Sequence, residues 1–320
     1  MKEERADYIW LNGRTVAWDE ATLHVHTQCV LGGLNVYEGL KAYWSPEQDE
    51  LFVFRFDAHM RRLSNSLKMI RMTLPYSLAE LQQATVELLA RNRFRQSVSI
   101  RIVCYFGEGV LFGYLPEEIE TGAFIYATPR TDAASCADGV HCCVSSWHRI
   151  SDTTAPPRIK AGANYHNVRL AHVQARVDGY EEPILLNEHG KVAEGTTRNV
   201  TLVCGGKLIV PETSSGILEG IMRASIMELA RAELNLEAIE RTVDRTELYT
   251  ADEVFLTSSS QEVLPVLSVD RIPVGDGRPG PVSQALYPLM LEVGAGRQPR
   301  YRAWLTPVYQ RSHEAGSKPL

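Results

Sequence analysis

The chain has 320 residues, 44% of them hydrophobic and 22% charged, with a formal net charge of −6 and a pI near 5.9. That length supports two domains with sizeable cores, and the acidic balance leaves no basic stripe for a phosphate backbone, which argues against nucleic acid as a partner. The charged start Met1-Lys2-Glu3-Glu4-Arg5 is unlike a secretory signal and no window approaches the roughly 20 apolar residues of a membrane span, so a cytoplasmic protein without membrane partners is expected.

The first element is a hairpin. Residues 8–11 and 14–18, rich in aromatic and β-branched side chains, flank Asn12-Gly13, a pair suited to the positive φ angles of a type I′ turn. His24-x-His26 would set two imidazoles on one face of a strand, but no carboxylate or cysteine stands nearby at ligand spacing, so the pair reads as structural and no metal is expected. The six cysteines show no C-x-x-C spacing, Cys142 and Cys143 project to opposite faces of a strand, and reduced, mostly buried thiols are expected. Residues 30–41 are rich in glycine and end with Tyr37, Glu38, Gly39 and Lys41; the glycines either let backbone approach a ligand or mark an ordinary bend.

After a strand at 51–54, Asp57 is the expected N-cap of a helix whose apolar stripe is Met60, Leu63, Leu67 and Ile70, with Arg61 and Arg62 beside it. Ser77 and Glu80 form a capping box for a second helix reaching about Asn92. Residues 98–102 alternate strictly, which puts Ser99 and Arg101 on one face of a strand. Arg101 is there either a surface charge or, in a cleft, a carboxylate clamp. From 129 to 138 the composition turns to Thr, Asp, Ala, Ser and Cys without periodicity, as in a linker between two α/β domains.

A strand at 139–144 leads to Arg158-Ile159-Lys160-Ala161-Gly162-Ala163-Asn164-Tyr165, which follows the stiff pair Pro156-Pro157 and precedes a helical pattern over 166–177. A lysine held between a rigid turn and a small-residue loop is presented to a cavity, and desolvation makes such an amine a nucleophile able to form a Schiff base; taken alone, a lysine is more often a surface charge. A meander follows over 183–186, a turn at 187–190 and a short strand ending at Glu194, then strands at 199–203 and 207–210 joined by Gly205-Gly206. Gly220 opens a helix with Met222, Ile226, Leu229, Ala230 and Leu234 on its apolar face, and a strand at 253–256 runs into Thr257-Ser258-Ser259-Ser260 before another at 263–269.

Three of these features suit a phosphate: the helix start at Gly220, the hydroxyl-rich turn and Arg62. Singly, each is an ordinary helix start, an ordinary turn and a solvated arginine. Glu194, in Val192-Ala193-Glu194-Gly195-Thr196-Thr197-Arg198-Asn199, ends its strand where a carboxylate can face an aromatic nitrogen. Lysine, phosphate cup and carboxylate are the parts a pyridoxal phosphate enzyme needs.

The sequence resembles the fold-type IV pyridoxal-phosphate enzymes and, among them, the branched-chain aminotransferases. The likeness runs from Ala6-Asp7-Tyr8-Ile9-Trp10 through Val36-Tyr37-Glu38-Gly39, His59-Met60-Arg61-Arg62-Leu63, Ile100-Arg101, Lys160–Tyr165, Glu194-Gly195 and Ala251-Asp252-Glu253-Val254-Phe255 to Trp304-Leu305. It implies a two-domain α+β fold: a small N-terminal α/β domain over 1–128, a linker over 129–138, a larger barrel-like domain that binds pyridoxal 5′-phosphate over 139–310, and a tail over 311–320. It also implies a homodimer or higher oligomer whose active sites borrow residues from a neighbour. The implied reaction is transamination of an amino acid with a 2-oxo acid, with glutamate or 2-oxoglutarate as one partner.

Position by position, Lys160 matches the lysine that carries the cofactor and shuttles a proton between Cα and C4′, and Glu194 the carboxylate that keeps the pyridine nitrogen protonated. Tyr165 matches the tyrosine bonded to the phenolic oxygen, and Arg62 the phosphate arginine. Gly220, Ile221, Met222 and Ser259 fall where the family holds the phosphate. Arg101 matches the arginine that reads the distal carboxylate of glutamate, and Tyr37, Gly39, Ser99 and Ser260 fall in the substrate pocket. The chain departs from the family's pattern where Met222 replaces threonine, Ser99 and Gly32 replace tyrosines, and Tyr37 replaces phenylalanine. A pocket larger and more polar than one built for valine, leucine and isoleucine is therefore expected. Lys160 and Glu194 equally serve a D-amino-acid or amine transaminase, or an aminodeoxychorismate-lyase-type enzyme, on the same fold; Arg101 favours an amino-acid substrate. A chain that had lost catalysis would need neither Lys160 nor Glu194.

Overall fold

The computed structural model describes residues 5–110, 115–130 and 138–310. Asn12 and Gly13 take φ angles of 47° and 85°, so β1 (Tyr8–Leu11) folds back as β2 (Arg14–Ala17) in the expected hairpin. The glycine-rich stretch is neither a plain bend nor a loop: it forms α1 (Gln28–Gly32), closed by Gly33 in the left-handed conformation, and then the long strand β3 (Asn35–Ser45). β4 (Glu50–Phe54) leads into α2 (Phe56–Met69), whose N-cap is Arg55 at φ 49° rather than Asp57. Asp57 sits one step further in, in the first turn, where a carboxylate meets the positive end of the helix. α3 (Leu78–Asn92) opens on the expected capping box, with Ser77 Oγ accepting from Glu80 N and the Glu80 carboxylate accepting from Ser77 N at 2.7 Å. β5 (Val98–Gly109) and β6 (Ile119–Pro129) follow.

The chain continues through β7 (Val140–Val144), α4 (Tyr165–Val177), β8 (Glu182–Ile184), β9 (Asn199–Cys204), β10 (Lys207–Pro211), α5 (Ile221–Glu233) and β11 (Glu237–Arg241). It closes with α6 (Glu247–Thr250), β12 (Glu253–Thr257), β13 (Val263–Val269), β14 (Ile272–Pro273), α7 (Pro281–Gly294) and β15 (Leu305–Pro307). Val192 and Glu194 make isolated bridges, to Leu186 and Asn199, in place of the expected short strand. Most of the expected linker and the whole expected tail lie outside the described residues.

These elements divide into two compact units, one made of Met1–Thr131, Ile159–Ala163 and Leu291–Leu320, the other of Asp132–Arg158 and Asn164–Met290. The first holds an antiparallel seven-stranded sheet in the order β15-β4-β3-β5-β6-β1-β2. Alternation gives this sheet two unlike faces. Val36, Leu40 and Ala42 of β3, Val98, Ile100, Ile102 and Cys104 of β5, and Ala123, Ile125 and Ala127 of β6 build the core with Met60, Leu63 and Leu67 of α2. The opposite face carries Tyr37, Gly39, Ser99, Arg101 and Tyr126, with Gly39 paired to Arg101 and Arg101 to Tyr126 across the ladders. The second unit holds an eight-stranded mixed sheet in the order β11-β10-β9-β12-β13-β7-β8, with β14 paired to β13 and its core on Val200, Leu202, Val254, Leu256, Leu264 and Val266. Both units combine a sheet with helices, so the chain is a two-domain α+β protein.

Two further expectations are corrected. His24 and His26 lie in a loop and a turn, not on a strand; His24 Nδ1 meets Glu108 at 2.8 Å, and the described residues hold no metal-binding cluster. Of the five described cysteines, all free, only Cys104 and Cys142 are buried and the other three are half-buried. No helix of the described residues is long and apolar enough to cross a membrane.

Candidate functional site

In the first unit the lysine loop is stitched to β3. Val36 bridges Ala161, and Tyr37 N donates to Lys160 O at 2.9 Å. Ile159 is buried in the core beside this bridge, so the backbone of Lys160 is pinned on both sides. Gly162 is demanded locally, because a Cβ there would fall 2.6 Å from Asn35 Oδ1. The Lys160 amine lies 5.1 Å from the centre of the Tyr37 ring.

α2 supplies the floor of this region. His59, Arg62 and Ser66 recur at helical spacing along the row next to the buried stripe, and Ser66 Oγ accepts from Lys160 N at 3.4 Å. Glu38, on the core face of β3 and completely buried, accepts from Arg62 Nε at 2.8 Å and Arg62 Nη2 at 2.7 Å, and lies 2.8 Å from His59 Nδ1. Burial pushes the Glu38 carboxyl up, but the Arg62 charge and the hydrogen bonds from Arg62 and His59 outweigh it and hold the group at about 2. Burial lowers the His59 imidazole against the pull of Glu38, and the charges of Arg62 and Lys160 lower it further. On the opposite face of the sheet, Arg101 reaches over Gly39: a Cβ at Gly39 would fall 2.2 Å from Arg101 Nη1, so glycine is what lets the guanidinium settle there, 5.7 Å from the Tyr37 ring centre.

In the second unit Glu194 is buried at 5% exposure. Its Oε1 accepts from Arg149 Nε at 2.8 Å, and its Oε2 accepts from Asn199 Nδ2 at 3.1 Å and Leu218 N at 3.0 Å. The turn carrying it is clamped from below. Glu182 accepts from Thr196 N and Oγ1 and, at 2.9 Å, from Arg198 Nη1, and Arg198 Nε donates to Gln261 at 3.0 Å. Asn199 Nδ2 also donates to Leu218 O at 2.9 Å, while a Cβ at Gly220 would fall 1.8 Å from Asn199 Oδ1. Gly220 is thus the N-cap of α5 because no side chain fits, and α5 begins without a side-chain cap, its first-turn amides belonging to Ile221 and the buried Met222. Ser258 Oγ and Ser260 Oγ lie 2.9 Å apart, and half-buried Ser259 stands between them. Tyr165 opens α4 and packs against Val168, Ala171 and Leu185.

The expected residues therefore fall into two sets, Lys160, Arg62, Tyr37, Gly39, Ser99 and Arg101 in the first unit and Tyr165, Glu194, Gly220, Ile221, Met222, Ser259 and Ser260 in the second. Sequence reasoning missed Glu38, His59, Arg149, Asn199 and the Leu218 amide as parts of the site. Only Glu38 carried a signal: a charge flanked at i±2 by Val36 and Leu40 points into the core and must find a partner there. Each unit by itself carries groups that suit pyridoxal phosphate: the first an amine and an oriented guanidinium, the second a buried carboxylate held by a guanidinium, an uncapped helix start and a row of hydroxyls. Thr257 Oγ1 and Arg149 Nη1 are buried without a partner among the described residues.

The amino-transferase class IV family model matches residues 35–269. The chain is 36% identical to a probable branched-chain-amino-acid aminotransferase of Aquifex aeolicus, over 97% of this chain and 100% of the relative, and 36% identical to the branched-chain-amino-acid aminotransferase of Escherichia coli (strain K12), again over 97% and 100%. Among solved structures it matches the branched-chain amino acid aminotransferase of Thermobaculum terrenum in its PLP-form with 42% identity and a TM-score of 0.91, over 96% of this chain and 99% of that one. A T.th. branched-chain amino acid aminotransferase complexed with N-(5′-phosphopyridoxyl)-L-glutamate matches with 35% identity and a TM-score of 0.89, over 95% and 99%.

Proposed function

The chain belongs to the amino-transferase class IV family, as a pyridoxal 5′-phosphate-dependent aminotransferase of the branched-chain-like kind, and from that premise we propose that it moves an amino group between an L-amino acid and a 2-oxo acid with glutamate and 2-oxoglutarate as one pair. When bound, the cofactor supplies a carbonyl for the amine and an electron sink. Lys160 would hold the cofactor through its amine and would carry a proton to and from the substrate carbon. Glu194, fixed by hydrogen bonds from Arg149, Asn199 and the Leu218 amide, would serve the ring nitrogen as its carboxylate partner. Arg62, oriented by Glu38, would serve the phosphate, as would the amides of Ile221 and Met222 and the Ser259 hydroxyl, and Tyr165 would serve the phenolic oxygen.

Arg101 carries the substrate reading. Its guanidinium rests on Gly39 and makes no ion pair with any described residue, which suits a distal carboxylate arriving with glutamate. The sheet face carrying Tyr37, Gly39 and Ser99 is more polar than one made for branched aliphatic side chains. The glutamate-bearing ligand of the T.th. enzyme supports the same choice. Self-association is supported by the exposed apolar residues Val25, Val30, Leu31 and Leu34 around α1 and Val110 and Leu115 at the β5–β6 connection. Adding glutamate alone to the cofactor-loaded protein should convert the absorbance of the aldehyde form to that of the amine form. An unchanged spectrum refutes the proposal.

A further inference from the structure

The polar face of the first unit's sheet holds a second guanidinium. Arg130 follows the last residue of β6, is tied to the sheet by donation from its backbone N to Ser97 O at 3.0 Å, and donates from Nη1 to Ser99 Oγ at 3.3 Å. Ser99 and Arg101 are alternate residues of β5 and so share this face, about 7 Å apart along the strand at some 3.3 Å per residue. Ser99 is paired across the ladder with Lys41, a buried lysine whose amine lies 4.6 Å from the Tyr43 ring centre. Arg101, Arg130 and Lys41 thus share one face of the sheet with Ser99, the Arg130 guanidinium on its hydroxyl and the Arg101 guanidinium turned towards Gly39 and Tyr37. Neither Arg101 nor Arg130 makes an ion pair with any described residue; the Arg101 guanidinium rests on Gly39 beside the Tyr37 ring, and that of Arg130 donates to the Ser99 hydroxyl. Like charges gathered on a partly buried face, two of them without an ion pair among the described residues, repel one another, and an arriving anion relieves that cost.

We infer that Arg130, steered by the Ser99 hydroxyl, joins Arg101 in an anion subsite, so that the partner substrate as well as glutamate is an amino acid with an acidic side chain. This rests on the aminotransferase reading and deepens it. Serine at position 99 keeps the side chain beside Arg101 on this face of β5 short and offers a hydroxyl to the Arg130 guanidinium. Arg130 is then a specificity residue, and its removal acts on the choice between donors.

The test compares two donors of similar length, L-2-aminoadipate, which ends in a carboxylate, and L-norleucine, which ends in a methyl group. Each is mixed alone with the cofactor-loaded enzyme, and the rate of cofactor conversion against concentration gives kcat/KM for the half-reaction. The expected wild-type preference is for 2-aminoadipate. In Arg130→Met the ratio of the two values should fall on the order of tenfold, as loss of a charge-assisted contact implies, and in Arg130→Lys it should recover in part. A wild-type preference for norleucine, or a ratio unmoved in Arg130→Met, overturns the inference while leaving the aminotransferase in place. Failure of the wild type to convert with either donor or with glutamate overturns both.

Discussion

Glu38 grips Arg62 through two hydrogen bonds, 2.8 Å to Nε and 2.7 Å to Nη2, from a position with no exposure to solvent. The pair fixes the plane of the guanidinium, and His59 shares the same carboxylate oxygen. Replacing Glu38 by Gln leaves a guanidinium with 12% side-chain exposure without its counter-charge. Breaking a buried pair in this way costs about 3–5 kcal/mol, so a loss near the lower end is expected in denaturant unfolding of Glu38→Gln. Titration with pyridoxal phosphate should also show weaker binding. Unchanged stability would remove the pair from the account of the fold.

The same cluster sets an acid limit. Glu38 is held at about 2 against an ordinary 4.5, so its contribution is complete above 4.5 and is lost as pH falls towards 2. His59 is lowered from 6.5, so protonation also favours the unfolded chain, beginning below 6.5. Both signs agree: the unfolding temperature should fall as pH drops from 7 to 4, and His59→Gln should flatten the upper part of that fall. A stability that rose on acidification would contradict it.

Gly220 tests the second unit. A Cβ there would overlap Asn199 Oδ1 at 1.8 Å, and Asn199 holds both Glu194 and Leu218. Gly220→Ala should therefore lower cofactor affinity and turnover together, and Glu194→Gln should bind cofactor yet lose on the order of 100-fold in kcat, the scale of a lost protonic contribution. Cofactor titration and steady-state rates on both variants separate the two effects.

Much of the fold was legible because it is local. The hairpin at Asn12-Gly13, the capping box at Ser77 and the stripe Met60, Leu63 and Leu67 each follow from spacing within a few residues, and all are present. The displaced N-cap at Arg55 shows where local reading fails: the Arg55 guanidinium lies 3.4 Å from the Trp304 ring centre and the Arg55 backbone N–H donates to Trp304 O, contacts no window around Asp57 can reveal. Glu38 with Arg62, and Arg149 with Glu194, likewise join residues 24 and 45 positions apart. Lys160 and Glu194 stood out in the sequence through the company of their neighbouring motifs, while the groups that hold them in place did not.

Lys160 is the residue on which the proposed chemistry turns. Lys160→Ala should retain the fold, since the backbone hydrogen bonds that tie this residue to Tyr37 and Ser66 do not depend on the side chain, and should lose turnover. The most direct measurement is borohydride reduction of the cofactor-loaded wild-type protein followed by peptide mapping. A pyridoxyl group fixed on the peptide containing Lys160 is the expected result; a label on any other lysine, or none, contradicts the assignment of the site.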